Sequence, residues 1–265
     1  MKNRHRAYSL VGMLVTLACM LILFVIGMNA MSKRMGGGNT AKGTVHSTQD
    51  QMALYGIHQA LVVHAQQNRN RLLTPSLLTG SGDWSEDTTA NFYSAMVMQL
   101  SVAPKMLISA NERSDRVWQM EGYDHLAHDP GAGVYWDPAF AADLNELSNV
   151  SWGHTPMYGE RFDRYWEAFS GSRIPWLGSR GPRDGQPGLS SWTFGDDGKW
   201  AGHMVFEDGH VEFITTFTPA NLVFQRGGET VMDNLFAIDD EVDGSDAIIS
   251  FTKEMTPDGP VLQFD

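Results

Sequence analysis

The sequence predicts an α+β protein: an N-terminal membrane-spanning helix and a spine helix, followed by an antiparallel β-sheet with short helices and long loops. Three observations predict this class. Residues 8–31 contain no charged side chain, an apolar repeat of helical spacing runs through residues 45–67, and strand-like runs flank an Asp-Gly pair near the end of the chain. Helices first and antiparallel strands later is the order typical of α+β folds.

The first of these segments has the length and flanking charges of a membrane-spanning helix. About 20 apolar residues are needed to cross the hydrocarbon core as a helix. Basic side chains lie on both sides, with Lys2, Arg4 and Arg6 before the run and Lys33 and Arg34 after it. Their excess before the run favours a cytoplasmic N-terminus and an exported body. A cleaved signal peptide is the alternative, but the run is too long for one and Met28 stands where a small residue is expected.

The charge of the chain limits its partners. The formal net charge is -12, and residues 1–34 hold five Lys or Arg and no acid, so the remainder is five units more negative than the whole chain. Such a body is repelled by nucleic acid, which excludes nucleic-acid partners. The one cysteine, Cys19, lies in the apolar run, so the body has neither a disulfide nor a thiol nucleophile.

Residue patterns after the apolar run predict the order of elements. The domain organisation is a leader at 1–7, a transmembrane helix at 8–34, a glycine-rich linker at 35–44 and an exported α+β domain at 45–265. Within that domain we expect the spine helix at 45–67 and a helix at 89–102, capped by Thr88 or Thr89 and ended by Pro104. Further helices are predicted at 139–147 and 159–169, strands at 105–109 and 149–152, and an irregular stretch at 171–188.

Two hairpins are predicted in the last third of the chain. Residues 202–206 and 210–214 flank Asp208-Gly209, and residues 247–252 and 261–264 flank a Pro-Asp-Gly-Pro turn at 257–260. An Asp-Gly pair between strand-like runs indicates a hairpin because both residues tolerate a positive φ.

The junction before the apolar run resembles the prepilin N-terminus of type IV pilins and type II secretion pseudopilins. A short basic leader ends at Ala7, and Tyr8 opens the apolar segment. The resemblance implies cleavage between Ala7 and Tyr8 by prepilin peptidase and methylation of the new amine of Tyr8. It also implies a single-pass protein of the inner membrane, with a cytoplasmic N-terminus and a periplasmic or extracellular body. The implied partners are prepilin peptidase, other pseudopilin or pilin-like subunits and the lipid bilayer.

Two further segments extend the resemblance, and two positions depart from it. Residues 47–78 look like the post-membrane helix of a bacterial pilin-like group that has an H-X9-DG motif near the C-terminus. The hairpin matches that motif at Val205, Phe206, Asp208, Gly209, His210, Val211 and Phe213. Gly198 replaces the motif's histidine. Gly12 replaces a glutamate that the family usually has, which indicates a pilin-like rather than a pilus-forming subunit.

Candidate metal sites in the sequence are incomplete. His210 and Glu212 share a strand face, but two ligands do not make a site. A second cluster combines His125 and His128 with Asp124 and Asp129. Residues 239–246 partly imitate a calcium loop, whose closing glutamate is replaced by Ser250. Solvated surface is the simpler interpretation of all three, so we expect no metal ion and no cofactor.

These observations predict a non-enzymatic, prepilin-like, membrane-anchored structural subunit of a type II secretion or type IV pilus-like system. Nucleophile-elbow, HExxH, P-loop and dinucleotide motifs are absent from the sequence. The alternative is a membrane-tethered binding module that recognises polysaccharide or a surface partner through residues 84–200, where all eight tryptophans lie. Core filling is the favoured role of those tryptophans. A metal-dependent hydrolase built on the His/Asp clusters is a third hypothesis.

Overall fold

The computed structural model describes residues 41–99, 101–168, 174–185, 200–240 and 244–265. Val45–Asp265 forms one compact unit, and most of the other unit, Met1–Thr44, falls outside these ranges. The predicted leader, the membrane-spanning segment at 8–34 and linker residues 35–40 therefore lie outside the described residues, as do Ala7, Tyr8, Gly12 and Gly198.

Helix α1, Ala41–Gln67, begins four residues before the predicted start of the spine helix and ends where predicted. Its buried apolar residues recur at three- and four-residue steps, as the amphipathic pattern requires: Leu54, Ile57, Leu61 and Ala65. The chain leaves the helix through Arg69 and Asn70, which both have positive φ. The side chain of Asn68 donates to the carbonyl of His64, which satisfies one of the last helical acceptors.

Three shorter α-helices follow within the described residues: α2 at Pro75–Thr79, α3 at Thr89–Met98 and α4 at Gly159–Tyr165. The side chain of Thr88 caps α3 as predicted, but α3 ends before the predicted limit at 102. The predicted helix at 139–147 is wrong. There the amide and carbonyl of Ala141 bond to the side chain and amide of Asn149, across a loop instead of along a helix. The predicted strand at 105–109 is a 3-10 turn, Pro104–Leu107.

The strands of the described ranges form one four-stranded antiparallel sheet and two separate hairpins. The sheet has the order β1-β2-β3-β4, from Trp152–His154, Pro175–Ser179, Gly202–Phe206 and Val211–Ile214. One hairpin pairs β5 with β6, Val223–Arg226 and Glu229–Met232. The other pairs β7 with β8, Phe251–Thr256 and Gly259–Gln263.

Strand β2 lies in the stretch predicted to be irregular. All five of its residues are buried, and it pairs with both β1 and β3. A Cβ atom on Gly178 would collide with the side chain of Met204 and with the carbonyl of His203 on β3. Gly178, one of the glycines that predicted an irregular stretch, therefore allows β2 and β3 to pack closely.

Both faces of the central sheet are covered. Val205 belongs to the larger core cluster with α1 and α3, whereas its neighbours Met204 and Phe206 belong to a second cluster with Trp200 and Phe236. Successive residues of a strand point to opposite faces, so β3 contributes to both clusters. The sheet is thus the layer that separates the two cores.

The predicted fold class is wrong in its single antiparallel sheet. Across the ranges that the structure describes, no helix is both long and apolar enough to cross a membrane. The longest helix of these ranges, α1, instead carries buried polar side chains, among them Ser47, Asp50 and His58. The expected single sheet is replaced by a sheet and two separate hairpins. An isolated bridge between His154 and Ser250 connects the sheet to the approach of β7.

Candidate functional site

The predicted Asp-Gly hairpin is formed by β3 and β4. Four pairs of residues lie opposite each other across the hairpin, and Gly209 has the positive φ of 86° that the turn requires. The carboxylate of Asp208 accepts a hydrogen bond from the amide of His210 at 3.0 Å and contacts its ring. Burial alone would raise the pKa of Asp208, but these contacts outweigh it and lower that pKa.

The hairpin docks on α1 through buried polar contacts. The His58 ring nitrogen Nε2 lies 3.0 Å from the carbonyl oxygen of Glu207, and a Cβ atom on Gly209 would come within 2.9 Å of the same ring. The His58 ring also stacks on Trp176 of β2, with centroids 4.9 Å apart. Nearer the start of α1, Ser47 Oγ lies 2.9 Å from His203 Nε2.

The seven matched motif residues divide between core and surface. Val205, Phe206 and Gly209 are buried, Val211 and Phe213 are half-buried, and Asp208 and His210 are exposed. Neither His210 nor Glu212 joins a larger ligand set, since no group of three His, Cys, Asp or Glu that could hold a metal occurs in the described ranges. The motif therefore supplies a packed hairpin with one exposed Asp-His pair at its tip.

Side chains of the other two candidate metal clusters bond to protein groups. His128 Nδ1 lies 2.8 Å from the carbonyl oxygen of Tyr135, and the carboxylate of Asp124 accepts from the amide of Leu126. In the calcium-like segment, Asp240 bonds to Ser245 and residues 241–243 lie outside the described chain. Asp246 pairs with Arg161. These contacts are those of polar loops.

Two histidines form buried pairs with hydroxyl groups. His154 Nε2 lies 2.8 Å from Thr89 Oγ1, and the second pair is His203 with Ser47. All four residues are at most 5% exposed. Burial lowers the pKa of both histidines to about 4, so both rings are neutral at neutral pH.

Four of the seven tryptophans that the structure describes fill the core. Core filling is confirmed for four of them, which are at most 3% exposed: Trp152, Trp166, Trp176 and Trp200. Trp136 is half-buried, and Trp192 lies outside the described residues. Trp84 and Trp118 are 45% and 59% exposed. Only these two tryptophans of the described chain are therefore available as major contacts for a ligand.

Trp84 lines a cleft of about 500 Å³, which is within the range of small-molecule sites. The cleft lies between α2, the turn after it, the start of α4 and the tip of the β7–β8 hairpin. Leu77 and Tyr158, which are 49% and 41% exposed, contribute apolar surface with Trp84, and the buried Met157 and Met255 also line it. Sequence reasoning missed this site because its residues come from segments far apart in the chain.

Two side chains of opposite charge also line the cleft, Arg71 and Asp87. Asp87 is 3% exposed, and its two carboxylate oxygens accept hydrogen bonds from the amide and the hydroxyl of Ser76, each at 2.9 Å. Burial raises the pKa of Asp87 in spite of these bonds. The cleft thus combines apolar and aromatic surface with an acceptor that is held in place and a cationic donor.

No known protein family, no characterised protein and no solved structure matches the chain. The prepilin resemblance therefore stays a prediction.

Proposed function

We propose that the chain is a non-enzymatic, prepilin-like structural subunit of a type II secretion or type IV pilus-like assembly. In this proposal prepilin peptidase removes the leader between Ala7 and Tyr8, and other pilin-like subunits are its partners. Its location at the inner membrane, with the body in the periplasm or outside the cell, stays a prediction.

The packing of the Asp-Gly hairpin on α1 supports this proposal most. A subunit that assembles through its N-terminal part needs a spine helix joined firmly to the rest of the body. Here Ser47 and His58, eleven positions apart on α1, contact β3 and the hairpin turn at 2.9 and 3.0 Å. The segment and the hairpin that carry the family resemblance are therefore in direct contact with each other.

The surroundings of the histidine–hydroxyl pairs support a structural role for them. A general base must reach the proton that it removes from a nucleophile, and the nucleophile must reach its substrate. Thr89 and His154 have no exposed surface, and Ser47 is 5% exposed beside a fully buried His203. These pairs join α3 to β1 and α1 to β3 in the core.

Mass spectrometry of the mature N-terminus tests the proposal. The full chain would be expressed with and without an active prepilin peptidase, and the N-terminal peptide of each product would be sequenced. We expect the peptidase to yield a chain that begins at Tyr8 and carries one methyl group on its amine.

An Ala7→Leu variant is the control, because a bulky residue before the cut should block processing while leaving the body unchanged. A product that retains Met1 in the presence of active peptidase would overturn the proposal. A product that begins beyond Ala30 would also overturn it, since that is the result of ordinary signal-peptide cleavage.

A further inference from the structure

The cleft beside Trp84 has the shape and lining of a ligand site. Its volume of about 500 Å³ would hold a small molecule or part of a chain molecule. Trp84 and Tyr158 come from different parts of the sequence, and nearly half of each residue is exposed. Aromatic side chains of this kind offer a rigid apolar face together with a polar N–H or O–H group.

The polar groups of the cleft narrow the chemistry of the ligand. A carboxylate can accept about four hydrogen bonds, and the two from Ser76 leave capacity on Asp87 for donors that enter the cleft. Arg71 offers donors from the same cleft. A matching ligand therefore has both donors and acceptors close to an apolar face.

Opposite charges in one cleft disfavour a charged ligand. A cation drawn to Asp87 and to the aromatic faces would meet Arg71, and an anion drawn to Arg71 would meet Asp87. A sugar ring avoids each of these conflicts, since it is neutral, rich in hydroxyl groups and apolar on its faces.

We propose that this cleft binds a neutral saccharide, with a sugar ring on Trp84 and hydroxyl groups bonded to Asp87 and Arg71. The proposal is independent of N-terminal processing. It also differs from recognition through the whole tryptophan-rich stretch, because four of those tryptophans are core residues and α2 and the β7–β8 hairpin complete the site.

Isothermal titration and saturation-transfer NMR test the proposal on the full chain in a detergent without a sugar headgroup. The probes are cellohexaose, maltohexaose and N-acetylchitohexaose at millimolar concentration. We expect at least one of them to bind, and the Trp84→Ala variant to weaken that binding by about tenfold or more, as truncation of an interface tryptophan typically does.

Trp118→Ala is the matched control, since Trp118 is the more exposed of the two tryptophans and does not line the cleft. It should bind like the wild type, while Asp87→Asn should weaken binding in a protein that unfolds at the same temperature. Absence of binding by all three hexasaccharides would overturn the proposal. It would equally be overturned by unchanged binding in Trp84→Ala, or by tighter binding of tetramethylammonium or a hexagalacturonate.

Discussion

At the scale of single residues, Gly178 shows how one missing side chain sets the distance between two strands. A Cβ atom there would overlap with the side chain and Cα of Met204 and with the carbonyl oxygen of His203. Because the carbonyl belongs to the backbone of β3, the overlap cannot be relieved by a rotamer change alone. The sheet must spread or bend to admit any larger residue.

We therefore expect Gly178→Ala to lower the free energy of unfolding by about 1–3 kcal/mol, the usual cost of overpacking. Urea unfolding followed by circular dichroism measures it. Gly122→Ala is the matched control, since a Cβ atom there meets nothing within 4 Å. Equal stability of the two variants would contradict the close approach of β2 and β3.

Asp233 is a buried acid whose protonation is coupled to folding. It is 1% exposed, and its Oδ2 accepts from the amide of Ala247. Burial, together with repulsion from Asp246 and Asp239, raises its pKa to about 7. The native state therefore holds a proton that the unfolded chain releases near pH 4, so this contribution to stability is complete below about pH 4 and is lost as the pH rises to about 7.

The Asp233→Asn variant should remove this dependence while keeping an acceptor for Ala247. Its stability relative to the wild type should rise between about pH 4 and pH 7, by up to about 4 kcal/mol. Urea unfolding at several pH values measures the difference, and Asp258→Asn at the exposed tip of β7–β8 is the control. A constant difference across this pH range would refute the coupling.

At the scale of elements, α1 and the β3–β4 hairpin are held together by few but specific contacts. His58 bonds to the backbone at Glu207, fits against Gly209 and stacks on Trp176. Burial lowers the pKa of His58, so the ring is neutral at neutral pH. One side chain thereby orients the helix against two strands.

Replacing His58 by Ala should cost about 2–4 kcal/mol, from the lost hydrogen bond and the cavity beside Trp176. Hydrogen exchange of the amides in 202–214 should speed up more than that of β5–β6. Gln66→Ala changes an exposed residue of the same helix and should leave the stability and the exchange rates unchanged. An equal increase in exchange rate for amides throughout the body would mean that His58 supports global stability and not the docking of the hairpin.

At the scale of the whole molecule, a buried charge network joins distant segments. Arg180, which directly follows β2, bonds to both carboxylate oxygens of Glu112 at 2.6 and 2.8 Å and to the carboxylate of Asp265. Burial alone would raise the pKa of Glu112, but the bonds to Arg180 outweigh it and lower that pKa. This stabilisation is present above the unfolded pKa of glutamate and is lost as the pH falls.

Arg180→Met would leave two buried carboxylates without their cation, at an expected cost of about 3–5 kcal/mol at neutral pH. The cost should shrink at acid pH, where protonation of the Glu112 carboxyl removes the need for a cation. Arg164→Met is the control, because its exposed pair with Glu160 should contribute less than about 1 kcal/mol. Thermal unfolding at both pH values measures the two effects, and equal losses in the two variants would contradict the network.

How far the sequence predicts this molecule depends on the range of each interaction. Local patterns predicted α1 and the hairpin at Asp208-Gly209, because periodicity and turn chemistry act over a few residues. The β5–β6 hairpin was missed although Gly227 and Gly228, both with positive φ, carry the same kind of signal. Strand β2 was missed because Gly178 is needed for close packing against β3, and the local sequence does not show that contact. The cleft has no local signature, since its lining extends from Arg71 to Pro257.

The hydrogen bonds between segments far apart in the sequence also affect the rate of folding. Ser47 bonds to His203, 156 positions later, and the hydroxyl of Thr89 accepts from the amide of Thr252, 163 positions later. Contacts of such long range slow folding, because a large loop must close before they form. Because β3 and β7 are synthesised long after α1 and α3, these helices complete their contacts only when His203 and Thr252 have left the ribosome.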